Sequence, residues 1–278
     1  MRLLLMIVLV VLALGCSKKE KEKDKLEWIK IEGGSILMGS EDGISDDTPA
    51  HLMRENTFFS LPSKPAHRVR VKTFWMAQTE VTVAQYRKCV KAGVCSEPDT
   101  GSENDVTCNW GKSGRDNYPI NCLDWGQART FSRWVGGDLP TEAQWEYAAR
   151  GGQSYKYAGE NELSAVGWWA GNTSRSGTRE VKTGYPNGYQ LYDMSGNVSE
   201  WTLDEWHATY HGAPSRGERP WGSVPKCKTK CSSGSSKRVH RGGSWYDDPE
   251  YLQVNWRSVR DPDSRYASLG FRPRRTVP

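Results

Sequence analysis

Helical patterns in this chain lie before residue 153, and this limits the folds that the chain can adopt. Three apolar-periodic stretches follow a residue that can cap a helix N-terminus, namely Thr82, Asp124 and Thr141. The last two are followed three residues later by glutamine, which is the capping-box pattern. From residue 153 onward no long helical period occurs, and the chain's 28 glycines and 14 prolines favour turns and loops. These features argue against a helical bundle.

Several short segments alternate apolar and polar residues, as half-buried β-strands do. EWIKIEGGSILMGS alternates around Gly33 and Gly34, where we predict a β-hairpin. HRVRVKTFWMAQTEVT alternates after residues 41–66, which we interpret as a long loop. Later strands are predicted in GYQLYDM, NVSEWTLDEW, RVHRGGSW and LGFRPRR. Strands and helices together predict a single irregular α+β domain with little regular secondary structure, over residues 26–278.

The N-terminus is typical of an exported chain with a lipid anchor. Arg2 precedes an apolar run of 12 residues, Leu3 to Leu14, which is shorter than a membrane span and fits a signal peptide. Small residues before Cys16 resemble the bacterial lipobox, which predicts cleavage after residue 15 and a lipid on the Cys16 thiol. Residues 1–15 are therefore the predicted signal peptide, and residues 16–25 a lipidated cysteine with a charged tether. An ordinary secretory peptide is the alternative.

Six cysteines follow the predicted anchor, and an even number in an exported chain favours disulfides. Many connectivities are possible, so sequence alone does not assign the pairs. Proximity favours Cys89–Cys95, Cys108–Cys122 and Cys227–Cys231. Zinc is the competing interpretation of the last pair, but that pair lacks a second half-site.

The charge excludes one class of partner. A formal net charge of +5 is small for 278 residues, and no basic run is interleaved with stacking aromatics, so nucleic acid is not expected to bind. The chain has 13 Trp and 12 Tyr but only 5 Phe, and we interpret most of these rings as core. No P-loop, GxSxG or dinucleotide fingerprint occurs.

Six phrases occur in a fixed order: IEGGSILMGS, HRVRVKTFWMAQTEVTVAQYRKCV, YPINCLDWGQARTFSRWVGGDLPTEAQWEYAARG, NGYQLYDMSGNVSEW, RVHRGGSW and SLGFRPRR. In combination they resemble the formylglycine-generating enzyme (sulfatase-modifying factor) family, from about Glu27 to Arg275. The resemblance implies one compact domain related to the C-type lectin fold. For the enzymes of the family it implies oxidation of a sulfatase cysteine to formylglycine, by a copper ion held on two cysteines after the RGGS motif.

The segment after RGGS departs from the enzymes, because WYDDPEYLQVNWRS contains no cysteine. Cu(I) prefers thiolates, which carboxylates and a phenol do not replace. We therefore expect no copper and assign no catalytic residue. The alternative is a formylglycine-generating oxidase in which Cys227 and Cys231 act as a displaced catalytic pair.

The resemblance also implies a structural calcium ion at LYDMSGNVSEW. Asp193 and Glu200 would supply side-chain oxygens, and Gly196 and Val198 backbone carbonyls. The alternative is that both acids only make turn and cap hydrogen bonds. Asn172, with the carbonyl of Thr173, is a weaker match to a second calcium site of the family.

The segment after RGGS also corresponds to the shallow face where the enzymes hold their substrate peptide. Aromatic and acidic side chains together suit a cationic peptide or a sugar. The predicted ligand-face residues are Tyr246, Asp247, Asp248, Glu250 and Tyr251, with Gln253 beside them, while Trp245 and Trp256 are expected to pack inward. A solvated loop is the alternative. His207 and His211 have a metal-chelating spacing only if they are helical, and we interpret them as loop residues.

The sequence thus predicts a lipid-anchored, non-catalytic, calcium-stabilised domain that binds an envelope protein, peptide or glycan. Ser17 after the lipidated cysteine favours the outer membrane over inner-membrane retention. Besides the displaced-cysteine oxidase, a structural subunit of an envelope complex is the other alternative.

Overall fold

The computed structural model describes residues 25–40, 64–100, 107–227, 231, 234 and 236–277. The predicted signal peptide, Cys16 and all of the tether except its last residue lie outside these ranges, as does most of the predicted loop 41–66. Within the described ranges, no helix has the length and apolar character needed to cross a membrane.

The three predicted helices are present. They are α1 (Val83–Lys91), α2 (Trp125–Trp134) and α3 (Glu142–Arg150), and each begins with a complete capping box. The first box is closed by Gln85, whose side chain accepts a hydrogen bond from the Thr82 amide at 2.9 Å. Two four-residue helices follow, α4 (Leu163–Val166) and α5 (Ala170–Thr173), which the sequence pattern did not predict.

Eleven short strands form four small sheets in the described chain. The strands are β1 (Trp28–Ile31), β2 (Gly34–Met38), β3 (His67–Val71), β4 (Phe74–Ala77), β5 (Gly167–Trp168), β6 (Ser195–Gly196), β7 (Ser199–Glu205), β8 (Arg238–Arg241), β9 (Arg257–Arg260), β10 (Leu269–Gly270) and β11 (Arg274–Thr276). The sheet orders are β1-β4-β11, β10-β7-β8-β9, β2-β3 and β5-β6. This architecture agrees with the predicted irregular α+β domain.

The predicted hairpin around Gly33 and Gly34 is wrong. β1 pairs with β4 and β2 with β3, so the segment 28–38 lies antiparallel to 67–77. The register is the same in both pairs, although the pairing itself is interrupted near Gly33. A Cβ on Gly33 would lie 2.7 Å from the carbonyl oxygen of Val71. The glycine therefore permits close backbone approach rather than a tight turn.

Helix α3 lies at the centre of the fold, against β2, β3, β7 and β8. Its acidic side chains are buried and face arginines of the second sheet: Glu142 pairs with Arg257 at 2.6 Å and Glu146 with Arg241 at 2.5 Å. Replacing one partner of such a pair would leave the other charge buried without its counterion, which is strongly destabilising. These pairs therefore fix the position and orientation of the helix on the sheet.

Three disulfides are formed, Cys89–Cys95, Cys108–Cys122 and Cys227–Cys231. Each joins the two cysteines that proximity favoured. All six cysteines after Cys16 are thus in the oxidised state, which leaves no thiol among the described residues.

Candidate functional site

The RGGS motif forms a tight turn at the end of β8. Gly242 and Gly243 have φ values of 95° and 62°, in the region that favours glycine. A Cβ on Gly243 would lie 2.8 Å from Leu252 Cδ1. Because this position has no side chain, the following 3₁₀ helix (Pro249–Leu252) folds back over the end of the strand.

Hydrogen bonds from Ser244 hold the turn closed. Its hydroxyl donates to Asp247 Oδ2 at 2.6 Å and accepts from the amide of Tyr246 at 3.3 Å. The amide of Trp245 donates to the carbonyl of Asn197 at 2.9 Å, which ties the turn to the LYDMSGNVSEW loop. The Asp247 carboxyl is thereby positioned by its neighbours, and burial raises its pKa.

A narrow polar cavity of about 30 Å³ lies under this turn. That volume suits a water molecule or the tip of one small polar group. The lining combines hydroxyls, a carboxyl, an imidazole and a guanidinium, and among the residues that the structure describes none of the lining side chains contains sulfur. They are Ser199, His240, Asp247, Tyr251, Ser258, Arg260, Tyr266, Ser268 and Leu269.

His240 is the most unusual residue of the cavity. It lies on β8, is 8 % exposed, and both of its ring nitrogens are buried without a hydrogen-bond partner in the portion of the chain that the structure describes. Burial, together with the smaller effect of the nearby Arg260 cation, lowers the pKa of His240 to about 3. The ring is therefore neutral, so one nitrogen can donate and the other accept a hydrogen bond from a bound group.

Sequence reasoning missed His240, Arg260, Tyr266 and the cavity serines. His240 lies two residues before Gly242 in the predicted strand RVHRGGSW. That strand position was the only sequence signal that could have placed its side chain near the turn. Ser258 and Arg260 come from β9, which pairs with β8, so only the sheet register places them beside His240.

The predicted ligand-face residues divide between surface and cavity. Tyr246 is 55 % exposed, and Asp248 is exposed and paired with Arg175 at 2.9 Å. Glu250 is half-buried in the 3₁₀ helix. Asp247 and Tyr251 line the cavity instead.

Tyr251 departs from the expectation of an outward side chain, because it is 7 % exposed and packs edge-on against Trp256 at 5.0 Å. Trp245 is buried as expected, whereas Trp256 is half-buried. The exposed part of the face is therefore narrower than the sequence suggested.

The predicted calcium loop has an unusual backbone. Asp193, Gly196 and Asn197 all have positive φ, and a Cβ on Gly196 would lie 2.2 Å from the Trp168 carbonyl oxygen. Asp193 is 3 % exposed; its Oδ2 accepts from the amide of Lys182 at 2.7 Å, while its Oδ1 is buried and has no partner within the described part of the chain. A buried carboxylate oxygen without a partner fits a calcium ligand.

Glu200, by contrast, has other partners. Both of its carboxylate oxygens lie 2.8 Å from Arg272 Nε, and Oε2 also accepts from the Trp145 indole at 2.8 Å. Arg272 and Trp145 thus bind the Glu200 carboxylate oxygens that the sequence analysis predicted as ligands of the calcium ion.

Glu80 is the acidic neighbour of Asp193 that sequence reasoning did not find. It is fully buried, and its carboxylate accepts only long hydrogen bonds, 3.3 Å from the Asn197 side chain and 3.3 Å from the Val198 amide. Burial raises the pKa of Glu80 well above its usual range, and the Asp193 carboxylate raises it further. Burial likewise raises the pKa of Asp193.

These observations fit a bound cation in part. Three buried carboxyls, on Glu80, Asp193 and Glu200, share one buried arginine, Arg272. The described chain contains no cluster of three or more acidic, histidine or cysteine side chains arranged around a metal position. A calcium ion here would therefore depend on Asp193, with Glu80 nearby, and on backbone carbonyls of the loop.

Asn172, the weaker calcium candidate, has hydrogen-bond partners, and the two histidines interpreted as loop residues lie in a loop. Asn172 Oδ1 accepts from the Trp169 amide at 2.8 Å, and its Nδ2 donates to the Gly167 carbonyl at 2.8 Å. His207 is not helical and stacks on Trp221 at 3.9 Å, while His211 is exposed.

The Cys227–Cys231 pair belongs to another part of the molecule. The amide of Cys231 donates to Thr130 Oγ1 at 3.0 Å, on helix α2. Neither cysteine nor Thr130 lines the cavity under the RGGS turn.

The irregular α+β domain, the glycine turn and the buried RGGS, LYDMSGNVSEW and LGFR segments together define a sulfatase-modifying-factor type of domain. The model of the sulfatase-modifying factor enzyme 1-like domain matches residues 15–277. The chain therefore belongs to this family.

A relative and two solved structures illustrate the similarity. The formylglycine-generating enzyme of Streptomyces coelicolor is 32 % identical, over 88 % of this chain and 87 % of that protein. The structure of PvdO from Pseudomonas aeruginosa has a TM-score of 0.68 at 26 % identity, over 92 % of this chain and 96 % of that chain. Treponema denticola variable protein 1 shares the fold, with a TM-score of 0.61 at 23 % identity, over 90 % and 95 % of the two chains.

Proposed function

We propose that this chain is a lipid-anchored, non-catalytic member of the family that binds a cationic peptide segment of an envelope protein at the RGGS turn. The observation that carries the proposal is the cavity under the turn. Its lining residues offer oxygen and nitrogen atoms where thiols would be needed to hold Cu(I). The six cysteines after Cys16 are paired in disulfides, and a disulfide has no thiolate to offer a metal.

The polarity of the face supports a cationic ligand. Tyr246 presents an exposed ring, and the same segment carries the exposed Asp248 and the half-buried Glu250. Arg175 pairs with Asp248 at 2.9 Å. A positively charged side chain of a ligand could lie on the Tyr246 ring, as Arg175 does at 5.5 Å, and pair with the carboxylates of Glu250 and Asp248.

The cavity would add specificity to this face. His240, the serines and the tyrosines can both donate to and accept from one small polar group of the ligand. A ligand that fills the cavity would provide partners for the buried His240 nitrogens.

Three further parts of the proposal come from the sequence. The signal peptide and Cys16 would anchor the domain by a lipid, and Ser17 favours the outer membrane. Calcium would hold the 193–200 loop, which supports the turn through the Asn197 carbonyl bond to Trp245. The partner would accordingly lie in the bacterial envelope.

Photo-crosslinking in cells tests the proposal. A photoreactive amino acid replaces Tyr246, and the matched control replaces Tyr185, an exposed tyrosine (71 %) that does not line the cavity. We expect one recurrent adduct from position 246 alone, weakened when Asp248 is changed to Asn and Glu250 to Gln. Equal adducts from both positions, or none from position 246, would contradict binding at this face.

A further inference from the structure

An apolar groove of about 760 Å³ lies where the described chain begins. Leu26, Phe131 and Val135 supply aliphatic and aromatic surface, and the rings of Trp28 and Trp134 lie beside them. Trp134 is 36 % exposed although it ends helix α2 next to buried Phe131, with ring centroids 5.6 Å apart. An indole in this setting has one face on the core and one edge in solvent, which suits a boundary between apolar and aqueous phases.

The charges along the groove have one sign. Lys25, Lys88 and Arg275 line it, and none of the groove's described lining residues is acidic. Arg275 lies over the Trp28 ring at 4.0 Å, so this cation and an aromatic ring are held together at the rim. A surface that combines tryptophans with basic side chains matches the interfacial region of an anionic membrane.

The groove is also where the chain leads to the proposed anchor. Lys25 and Leu26 line it, and only residues 17–24 separate Lys25 from Cys16. The nine residue steps from Cys16 to Lys25 reach at most about 32 Å when fully extended. A lipid on Cys16 would therefore keep the groove within about that distance of the bilayer, so the tether allows the lysine and arginine side chains to reach the headgroups.

We propose that this groove docks on anionic phospholipid of the membrane that carries the anchor, with Trp134 and Trp28 at the headgroup level and Lys25 and Arg275 on the phosphates. The inference rests on the proposed lipid anchor. Docking of the groove would add a second contact with the membrane, which would orient the domain on the bilayer instead of leaving it loosely tethered.

Hydrogen exchange on the full-length protein in lipid vesicles tests this docking. Intact mass first establishes whether Cys16 carries lipid. Exchange is then followed by mass spectrometry in phosphatidylcholine vesicles with and without phosphatidylglycerol. We expect slower exchange in the peptides covering 25–28 and 131–136 only when phosphatidylglycerol is present, with reversal by high salt.

Matched variants separate the groove from general surface charge. The test variant is Lys25→Glu with Trp134→Ser. The control is Lys72→Glu with Tyr185→Ser, another lysine and aromatic residue with highly exposed side chains, neither of which lines the groove. Protection should be lost in the first pair and kept in the second. If the test variant fails to fold, the lipid and salt dependence of the unaltered protein gives the answer.

The outcomes distinguish the two proposals. An intact mass without lipid contradicts the proposed anchor. The same vesicles are then added to the unlipidated chain, and protection of the groove peptides there tests the docking by itself. Protection that is equal in neutral vesicles contradicts docking on anionic lipid. Protection that instead grows with protein concentration in the absence of vesicles identifies a second copy of the chain as the occupant and likewise overturns the proposal.

Discussion

Arg272 Nε lies 2.8 Å from both carboxylate oxygens of Glu200, and both side chains are almost completely buried. The pair joins LYDMSGNVSEW to LGFR, two motifs that are far apart in the sequence. Arg272 also donates to the carbonyls of Gln78 and Tyr192, at 3.1 and 2.7 Å. One arginine therefore holds three segments around the loop that supports the RGGS turn.

Glu200→Gln should destabilise the domain by about 3–5 kcal/mol, because it removes the carboxylate that bonds directly to the buried Arg272 guanidinium. Urea unfolding followed by tryptophan fluorescence measures the loss. Asp248→Asn breaks the exposed pair with Arg175 and should cost about 0–1 kcal/mol. A Glu200→Gln loss as small as that of Asp248→Asn would show that the buried pair does not hold the fold together.

Removal of calcium should lower the melting temperature. With free calcium about a hundredfold above its dissociation constant, binding contributes about 2.7 kcal/mol, or roughly 5–10 °C in a domain of this size. Differential scanning calorimetry with calcium and with EGTA measures the difference. Asp193→Asn should abolish it and Glu80→Gln should reduce it, since Asp193 has the unpartnered oxygen and Glu80 lies beside it.

Asn172→Asp is the control for the calcium measurement, because this side chain already bonds to the backbone of its own short helix. The calcium-dependent shift should be unchanged in that variant. A shift that survives in Asp193→Asn but grows in Asn172→Asp, where a carboxylate replaces an amide ligand, would place the ion at the second position instead.

The buried His240 ring predicts loss of stability in acid. Its pKa is about 3 in the folded protein and about 6.5 in an unfolded chain. Between these values the unfolded state binds the additional proton, so stability is complete above about pH 6.5 and falls as the pH approaches 3. His240→Gln should therefore narrow the difference between urea midpoints measured at about pH 7.5 and about pH 5.

His211→Gln serves as the control for this pH series because His211 is exposed. Its acid sensitivity should match that of the unaltered protein. An unchanged pH difference in His240→Gln would mean that another group governs the acid response.

The disulfides should differ in their contributions. Cys108 and Cys122 are 14 residues apart, and a loop of that size predicts a loss of about 3 kcal/mol when both become Ser. Cys227 and Cys231 are 4 apart, and their removal should cost about 1 kcal/mol less. Guanidinium unfolding under non-reducing conditions compares the two. A larger loss for the second pair would indicate that its loop has a structural role beyond chain closure.

Local signals in the sequence predicted the helices well, because a cap and the side chain three residues later interact within one turn. The hairpin at Gly33 failed for the opposite reason: β1 and β2 pair with strands beyond a long connection. The family resemblance drew attention to the RGGS and LYDMSGNVSEW segments. Other features depend on strand register and tertiary packing, which local sequence patterns do not reveal. They are the burial of Tyr251, the pairing of Glu200 with Arg272, and the positions of Glu80 and His240.

The central claim is that this member of the family binds at the RGGS turn without oxidising a cysteine there. Its most direct test is mass spectrometry of a sulfatase-derived peptide containing the target cysteine, after incubation with the full-length protein, copper and oxygen. The account predicts that the cysteine persists at its original mass. Conversion to the aldehyde by the unaltered protein, lost when Cys227 and Cys231 are changed to Ser, would contradict it.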